Sequence, residues 1–231
     1  MSAAPAQVTP PSLPRKLCAE GVGTALLLAA VVGSGIMGER LAASNIALAL
    51  LANSIATGAA LFALISTFAP ISGAHFNPVV TLIETIAGRI SPQHARLYIG
   101  AQFFGAIVGV MMAHAMFELP LIFPSQHVRT GSAQWFSEAV ATFGLVIVIL
   151  HGAKSSAITV AASVACYITA AYWFTASTSF ANPAVTFARA LTDTFSGIRP
   201  IDAPMFIVAQ IVGALLAYFF YRWMTHQDLP K

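Results

Sequence analysis

The sequence predicts an all-α membrane protein with six transmembrane helices plus two re-entrant half-helices, arranged as an inverted 3+3 repeat. Three observations carry this prediction. First, 58% of the 231 residues are hydrophobic and only 8% are charged, with a mean hydropathy of +0.79; an ordinary globular chain carries roughly a quarter charged residues. Second, six stretches reach the roughly 20 apolar residues that a bilayer-spanning helix needs. Third, three short motifs recur in the same order in the two halves of the chain. Charges this sparse cannot coat a soluble body. They exclude a cytosolic enzyme, a nucleic-acid binder, a disordered chain and a disulfide scaffold. The net charge of +3 comes without any basic block, so it reads as a topology signal and no nucleic-acid partner is implied.

The spans, in order, are Ala19–Gly38, Ala43–Thr67, Leu97–Phe117, Ala133–Leu150, Ser155–Phe180 and Ala203–Tyr221. The first and fourth hold one glutamate each, Glu20 and Glu138; the other four hold no Asp, Glu, Lys or Arg. Arg15 and Lys16 ahead of the first span resemble a signal-peptide start, but its length and the five later spans make it a retained anchor. Residues 1–16, with prolines at 5, 10, 11 and 14, read as a disordered tail, and 226–231 form a second tail. Six spans put both termini on one face. That face carries Arg15, Lys16, Arg89, Arg96, Lys154, Arg222 and Lys231, against Arg40, Arg129, Arg189 and Arg199 on the other. The positive-inside rule then places the termini in the cytoplasm and the chain in the plasma (inner) membrane as a multi-pass protein.

Self-comparison defines one domain over 17–225, with repeat 1 at about 17–118 and repeat 2 at about 133–225. Glu20-Gly-Val-Gly-Thr24 matches Glu138-Ala-Val-Ala-Thr142, 118 residues on. Asn77-Pro-Val-Val-Thr81 matches Asn182-Pro-Ala-Val-Thr186 at an offset of 105, and Ala101-Gln-Phe-Phe-Gly-Ala106 matches Ala209-Gln-Ile-Val-Gly-Ala214 at 108. Three spans per half is an odd number, so the halves insert with opposite orientation, as in channels and transporters. After Asn77-Pro78 about ten residues run to Gly88, and after Asn182-Pro183 the run ends near Leu191. Ten helical residues reach about 15 Å, half the hydrocarbon core. Proline suits the first helical position and asparagine the N-cap before it. Both segments therefore read as half-helices that begin at the membrane centre. Backbone at that depth is tolerated only inside protein or beside a wet cavity.

The two boxes, Ser72-Gly-Ala-His-Phe-Asn-Pro-Val-Val-Thr81 and Ser177-Thr-Ser-Phe-Ala-Asn-Pro-Ala-Val-Thr186, resemble the paired Asn-Pro-Ala boxes of the aquaporin/aquaglyceroporin (major intrinsic protein) superfamily. The likeness covers about residues 17–225. It implies a homotetramer in a lipid bilayer, with one pore through each subunit for water and small neutral solutes. No cluster of His, Cys, Asp or Glu has catalytic or metal spacing, so no enzymatic activity, cofactor or metal is expected. The resemblance also implies roles for residues in and around the boxes. The motif residues are Asn77, Pro78 and Val79, and Asn182, Pro183 and Ala184, with valine at 79 where alanine is usual. Asn77 and Asn182 would aim their amides into the pore. The backbone carbonyls of Gly73, Ala74, His75 and Phe76, and of Thr178, Ser179, Phe180 and Ala181, would form an acceptor ladder. Glu20 and Glu138 would support the two loops.

The selectivity filter departs from the family pattern. Where most members carry arginine, three residues after the second box asparagine, this chain has Val185. Ungapped counting puts the other filter positions at Thr57, Ala170 and Ser179, a set without aromatic walls. Arg189 falls too late in the half-helix to replace the guanidinium at the same level. For aquaporin-type pores the general determinants are diameter, lining donors and the positive ends of half-helix dipoles. A wide filter with hydroxyls suits water together with glycerol-like polyols and arsenous or antimonous acid. The box-2 stretch is similar to bacterial aquaglyceroporin-like channels associated with arsenic resistance. The competing readings are an ion- or proton-coupled secondary transporter, in which Glu20 or Glu138 would carry the coupling, and a mainly water-conducting aquaporin.

Some residues also have plainer readings. His75 borders the pore or simply packs, His114 is a satisfied or interfacial histidine, and Gly105-x-x-x-Gly109 serves helix packing. Cys18 and Cys166 read as small apolar packing residues.

Overall fold

The computed structural model describes residues 10–153 and 155–225. The C-terminal tail and Lys154 of the loop-charge comparison lie outside them, as do residues 1–9 of the N-terminal tail. Eight helices follow one another among the described residues: α1 (Leu13–Leu41), α2 (Ile46–Ser72), α3 (Pro78–Ile86), α4 (Pro92–Met116), α5 (Ser132–Gly152), α6 (Ala157–Phe174), α7 (Pro183–Arg189) and α8 (Ala203–Met224). All but α3 and α7 are long and apolar enough to cross a membrane.

The boundaries differ most from the sequence reading in two places. α1 begins at Leu13 with proline in its first turn, so residues 13–16 are helix rather than tail. The fifth span stops at Phe174, six residues short of Phe180, because Thr175 turns extended and residues 178, 179 and 181 are left-handed. A helix cannot pass through those backbone angles.

The two halves are built alike. α1 packs most extensively on α4 and α2, and α5 on α8, with α2 against α6 joining the halves. Close approach of the α1–α4 and α5–α8 pairs depends on glycine. A Cβ on Gly105 would overlap the Gly21 carbonyl oxygen, and one on Gly213 would overlap that of Ala139. Gly109 meets the Ala25 carbonyl in the same way, so the Gly-x-x-x-Gly pattern does serve packing. Alanine would gain up to about 1 kcal/mol of helix propensity at these positions. A clash with backbone cannot be relieved by a side-chain turn, and overpacking of this kind costs about 1–3 kcal/mol or more. Gly105→Ala and Gly213→Ala are therefore each expected to lower the thermal unfolding midpoint in detergent. An unchanged midpoint would mean the helices can separate freely.

Large apolar side chains such as Leu41, Phe104 and Phe136 stay exposed on the outside, where lipid would cover them. Cys18 and Cys166 are also on this outer surface, not in the packed interior.

Candidate functional site

Each half-helix is capped by its own asparagine. Asn77 Oδ1 accepts from Val79 N (3.0 Å), and Asn182 Oδ1 accepts from Ala184 N and Val185 N (3.0 and 3.2 Å). With nine and seven residues, α3 and α7 are about 14 and 11 Å long, too short to cross. Their boxes are cross-linked. Asn77 Nδ2 donates to the Ala181 carbonyl and Asn182 Nδ2 to the Phe76 carbonyl, both at 2.8 Å. An amide nitrogen carries two N–H groups, so each asparagine keeps one donor beyond this cross-link.

The loops leading into the boxes have the same backbone pattern. Gly73, Ala74 and Phe76 have positive φ in the first, and Thr178, Ser179 and Ala181 in the second. Left-handed backbone costs a non-glycine residue about 1–2 kcal/mol, so something must hold these loops open. The two intramembrane glutamates do so. Glu20 accepts from His75 N (3.0 Å), Phe76 N (2.8 Å), the Ser72 hydroxyl (2.7 Å) and Gln102 Nε2 (2.8 Å). Glu138 accepts from Phe180 N and Ala181 N, both at 2.9 Å, and from Gln210 Nε2 at 2.6 Å. The same glutamine nitrogens donate on to Thr81 Oγ1 (2.9 Å) and Thr186 Oγ1 (2.8 Å) in the half-helices. All three repeat motifs thus meet in one buried network per half.

A single cavity of about 350 Å³ runs past both boxes. One wall is apolar except for the Thr57 and Tyr172 hydroxyls and follows four-residue steps along the helices: Val160, Val164, Ile168 and Tyr172 of α6, and Thr57, Leu61 and Ile65 of α2. The other wall is formed by the loops and half-helices. Of the expected lining, Gly73, Ala74, His75, Phe76, Asn77, Ser179, Phe180, Ala181 and Asn182 border the cavity, as do Thr57 and Val185. Pro78, Val79, Pro183 and Ala184 are buried behind it as the first residues of the half-helices.

Two expectations fail. Ala170 is exposed and absent from the cavity wall, because the α6 stripe passes through Ile168 and Tyr172. A shift of two residues turns a helix side chain by about 200°, away from the stripe. Tyr172 borders the cavity instead, and its hydroxyl lies 3.1 Å from the Thr57 hydroxyl. An aromatic wall is therefore present after all. Thr178 also stays off the wall, whereas Gly73, its equivalent 105 residues earlier, borders the cavity.

Ser179 Oγ is buried without a hydrogen-bond partner among the described residues, and His75 is held by Thr81 (Nδ1···Oγ1, 3.0 Å) while bordering the cavity. His114 is fully buried with both ring nitrogens occupied, by Leu121 O and Thr192 Oγ1, the satisfied and not the interfacial of its two readings. Three participants were not assigned from the sequence: the glutamines of the third motif, Tyr172, and the half-helix ends. Glu84 and Arg189 are 105 residues apart, the offset of the two asparagines, and both border the cavity.

The described architecture agrees with comparisons to known proteins. The family model "Major intrinsic protein" matches residues 7–157 and 151–229. The chain is 54% identical over 218 residues to aquaglyceroporin AqpS of Rhizobium meliloti (strain 1021), covering 94% of this chain and 93% of that protein. It is 30% identical over 245 residues to aquaporin TIP1-2 of Musa acuminata, covering 98% and 95%. Among solved structures, the aquaglyceroporin from Plasmodium falciparum superposes with a TM-score of 0.73 at 20% identity, over 91% of this chain and 96% of that one. With a family model spanning nearly the whole chain, six membrane helices and two capped half-helices meeting at crossed asparagines, the chain belongs to the major intrinsic protein family of multi-pass membrane channels and is not an enzyme.

Proposed function

We propose that this channel passes small uncharged polyhydroxy solutes, glycerol and arsenous or antimonous acid among them, together with water. The two-sided cavity carries this reading. Its apolar stripe, with Leu61, Ile65, Val164 and Ile168, accommodates a carbon or metalloid face. The opposite wall offers loop carbonyls and the remaining asparagine N–H groups to hydroxyls. A neutral polyol can exchange its hydration for these partners, whereas an ion pays a large desolvation penalty in an apolar-walled passage.

The proposed filter is Thr57, Ser179 and Val185, with Tyr172 completing the wall. Val185 leaves open the volume that a guanidinium would fill at that level. The glutamates favour a channel over a coupled transporter, since each accepts at least three hydrogen bonds that hold a loop in place. The reading includes a homotetramer in the plasma membrane with cytoplasmic termini.

The test is uptake into proteoliposomes without ion or pH gradients, comparing glycerol and arsenous acid against empty vesicles over rising concentration. Rapid entry that does not saturate is the expected result. Saturation, or entry only with an imposed ion gradient, would point to a carrier. Arsenous acid uptake at the level of empty vesicles would remove that solute and leave glycerol and water.

A further inference from the structure

The two half-helix ends carry opposite charges in different states. At the face bearing the termini, Glu84 borders the cavity and is neutralised by a two-point ion pair with Arg89 (2.5 and 2.6 Å). Its repeat equivalent at the opposite mouth is Arg189, which is 2% exposed and also borders the cavity. Arg189 makes no ion pair among the described residues. Its Nε donates to the Ser196 carbonyl, and its guanidinium lies 3.4 Å from the centre of the Phe180 ring. Arg129 sits over the same ring at 5.2 Å but is tied to the Gly197 and Ser177 carbonyls and does not border the cavity. Neither terminal nitrogen of Arg189 has a hydrogen-bond partner among the described residues.

A buried guanidinium without a carboxylate is destabilising unless something compensates it. The C-terminal end of α7 and the Phe180 face offset part of that cost. Neither explains why the terminal N–H groups are left open beside the cavity. Nor does bracing of the Ser196 loop, which needs only Nε.

We propose that Arg189 supplies the pore's outer charge barrier, one helical turn outward of Val185. The two residues are four apart on α7, share one helix face, and both border the cavity. Four residues of rise move the charge about 6 Å along the pore. The barrier against cations and protons is thereby separated from the level that Val185 leaves wide. A large neutral solute and an effective charge barrier become compatible. This inference rests on the channel reading above.

The test is proton entry into proteoliposomes under an imposed potassium diffusion potential, read with a trapped pH dye and divided by the water permeability of the same vesicles. Arg189→Gln removes the charge but keeps a donor for the Ser196 carbonyl. It is expected to raise the proton-to-water ratio by about tenfold or more, the factor carried by ~1.4 kcal/mol of barrier. Arg189→Lys, which keeps the charge without the planar stack, is expected to stay near wild type. The double variant Val185→Arg/Arg189→Gln is expected to return the ratio toward wild type.

A Gln variant with the wild-type ratio would overturn the proposal. So would a Lys variant that leaks as much as Gln, since bracing rather than charge would then explain the effect. If Arg189→Gln fails to conduct water at all, the Lys variant decides by the same criterion. Wild-type vesicles passing no solute would instead overturn the channel reading, so the two failures remain distinct.

Discussion

Glu20→Leu is expected to destabilise the protein more than any other single substitution considered. Leucine would leave Phe76 N buried without an acceptor, at about 1–3 kcal/mol, and would take the acceptor from the part-buried His75 N as well. It would also strand the Ser72 hydroxyl and the Gln102 amide, the latter linking α4 to Thr81 of α3. The left-handed residues Ala74 and Phe76 would lose the contact that holds them in that conformation. Glu138→Leu is expected to do the same to the second loop through Phe180 N and Ala181 N.

Glutamine at either position keeps one acceptor oxygen and should fall between leucine and wild type. The measurement is the thermal unfolding midpoint in detergent, paired with solute flux in vesicles. A Glu20→Gln protein as stable as wild type, but whose flux needs an imposed pH gradient, would contradict the structural role and favour proton coupling.

This network explains what could be read from the sequence and what could not. The spans and half-helices were legible because their signals are local: long apolar runs, and an asparagine-proline pair followed by a short segment. The asparagines and glutamates stood out because a buried carboxylate or amide in an apolar run is rare and was repeated. Gln102 and Gln210 lay inside a recognised repeat, yet their task depends on a side chain on α4 or α8 reaching Glu20 or Glu138 across the fold. No local pattern encodes that reach.

Ala170 misses the cavity wall for a different reason. Ungapped counting back from Asn182 assumes a fixed loop length, but the cavity stripe of α6 follows helical phase through Ile168 to Tyr172. The stripe Val160, Val164, Ile168, Tyr172 was visible as a four-residue step and could have identified the tyrosine. Arg189 lies four residues beyond Val185 on α7. Its equivalence to Glu84 was available from the 105-residue offset, but that offset does not say that one charge is paired and the other is not.

Val185→Arg is expected to reduce glycerol flux by at least about tenfold while water flux falls only a few-fold. Val185 borders the cavity three residues after Asn182, about 4.5 Å along α7. The new guanidinium would find Glu138 already filled by Phe180 N, Ala181 N and Gln210. Arg189 would stand about 6 Å away, where two like charges repel by about 3 kcal/mol at an effective dielectric of 20. Among the described residues that border the cavity the only acid is Glu84, which is paired with Arg89; with a positive neighbour outward, the side chain is driven into the lumen. A width-limited pore then loses its larger permeant first, because water still passes a gap that a three-carbon polyol cannot. Stopped-flow light scattering with impermeant and glycerol gradients on the same vesicles measures both fluxes, and Val185→Leu controls for added apolar bulk. Equal loss of water and glycerol would mean that Val185 does not set the width. The narrowest point would then lie elsewhere, with the Thr57–Tyr172 pair the next level to test.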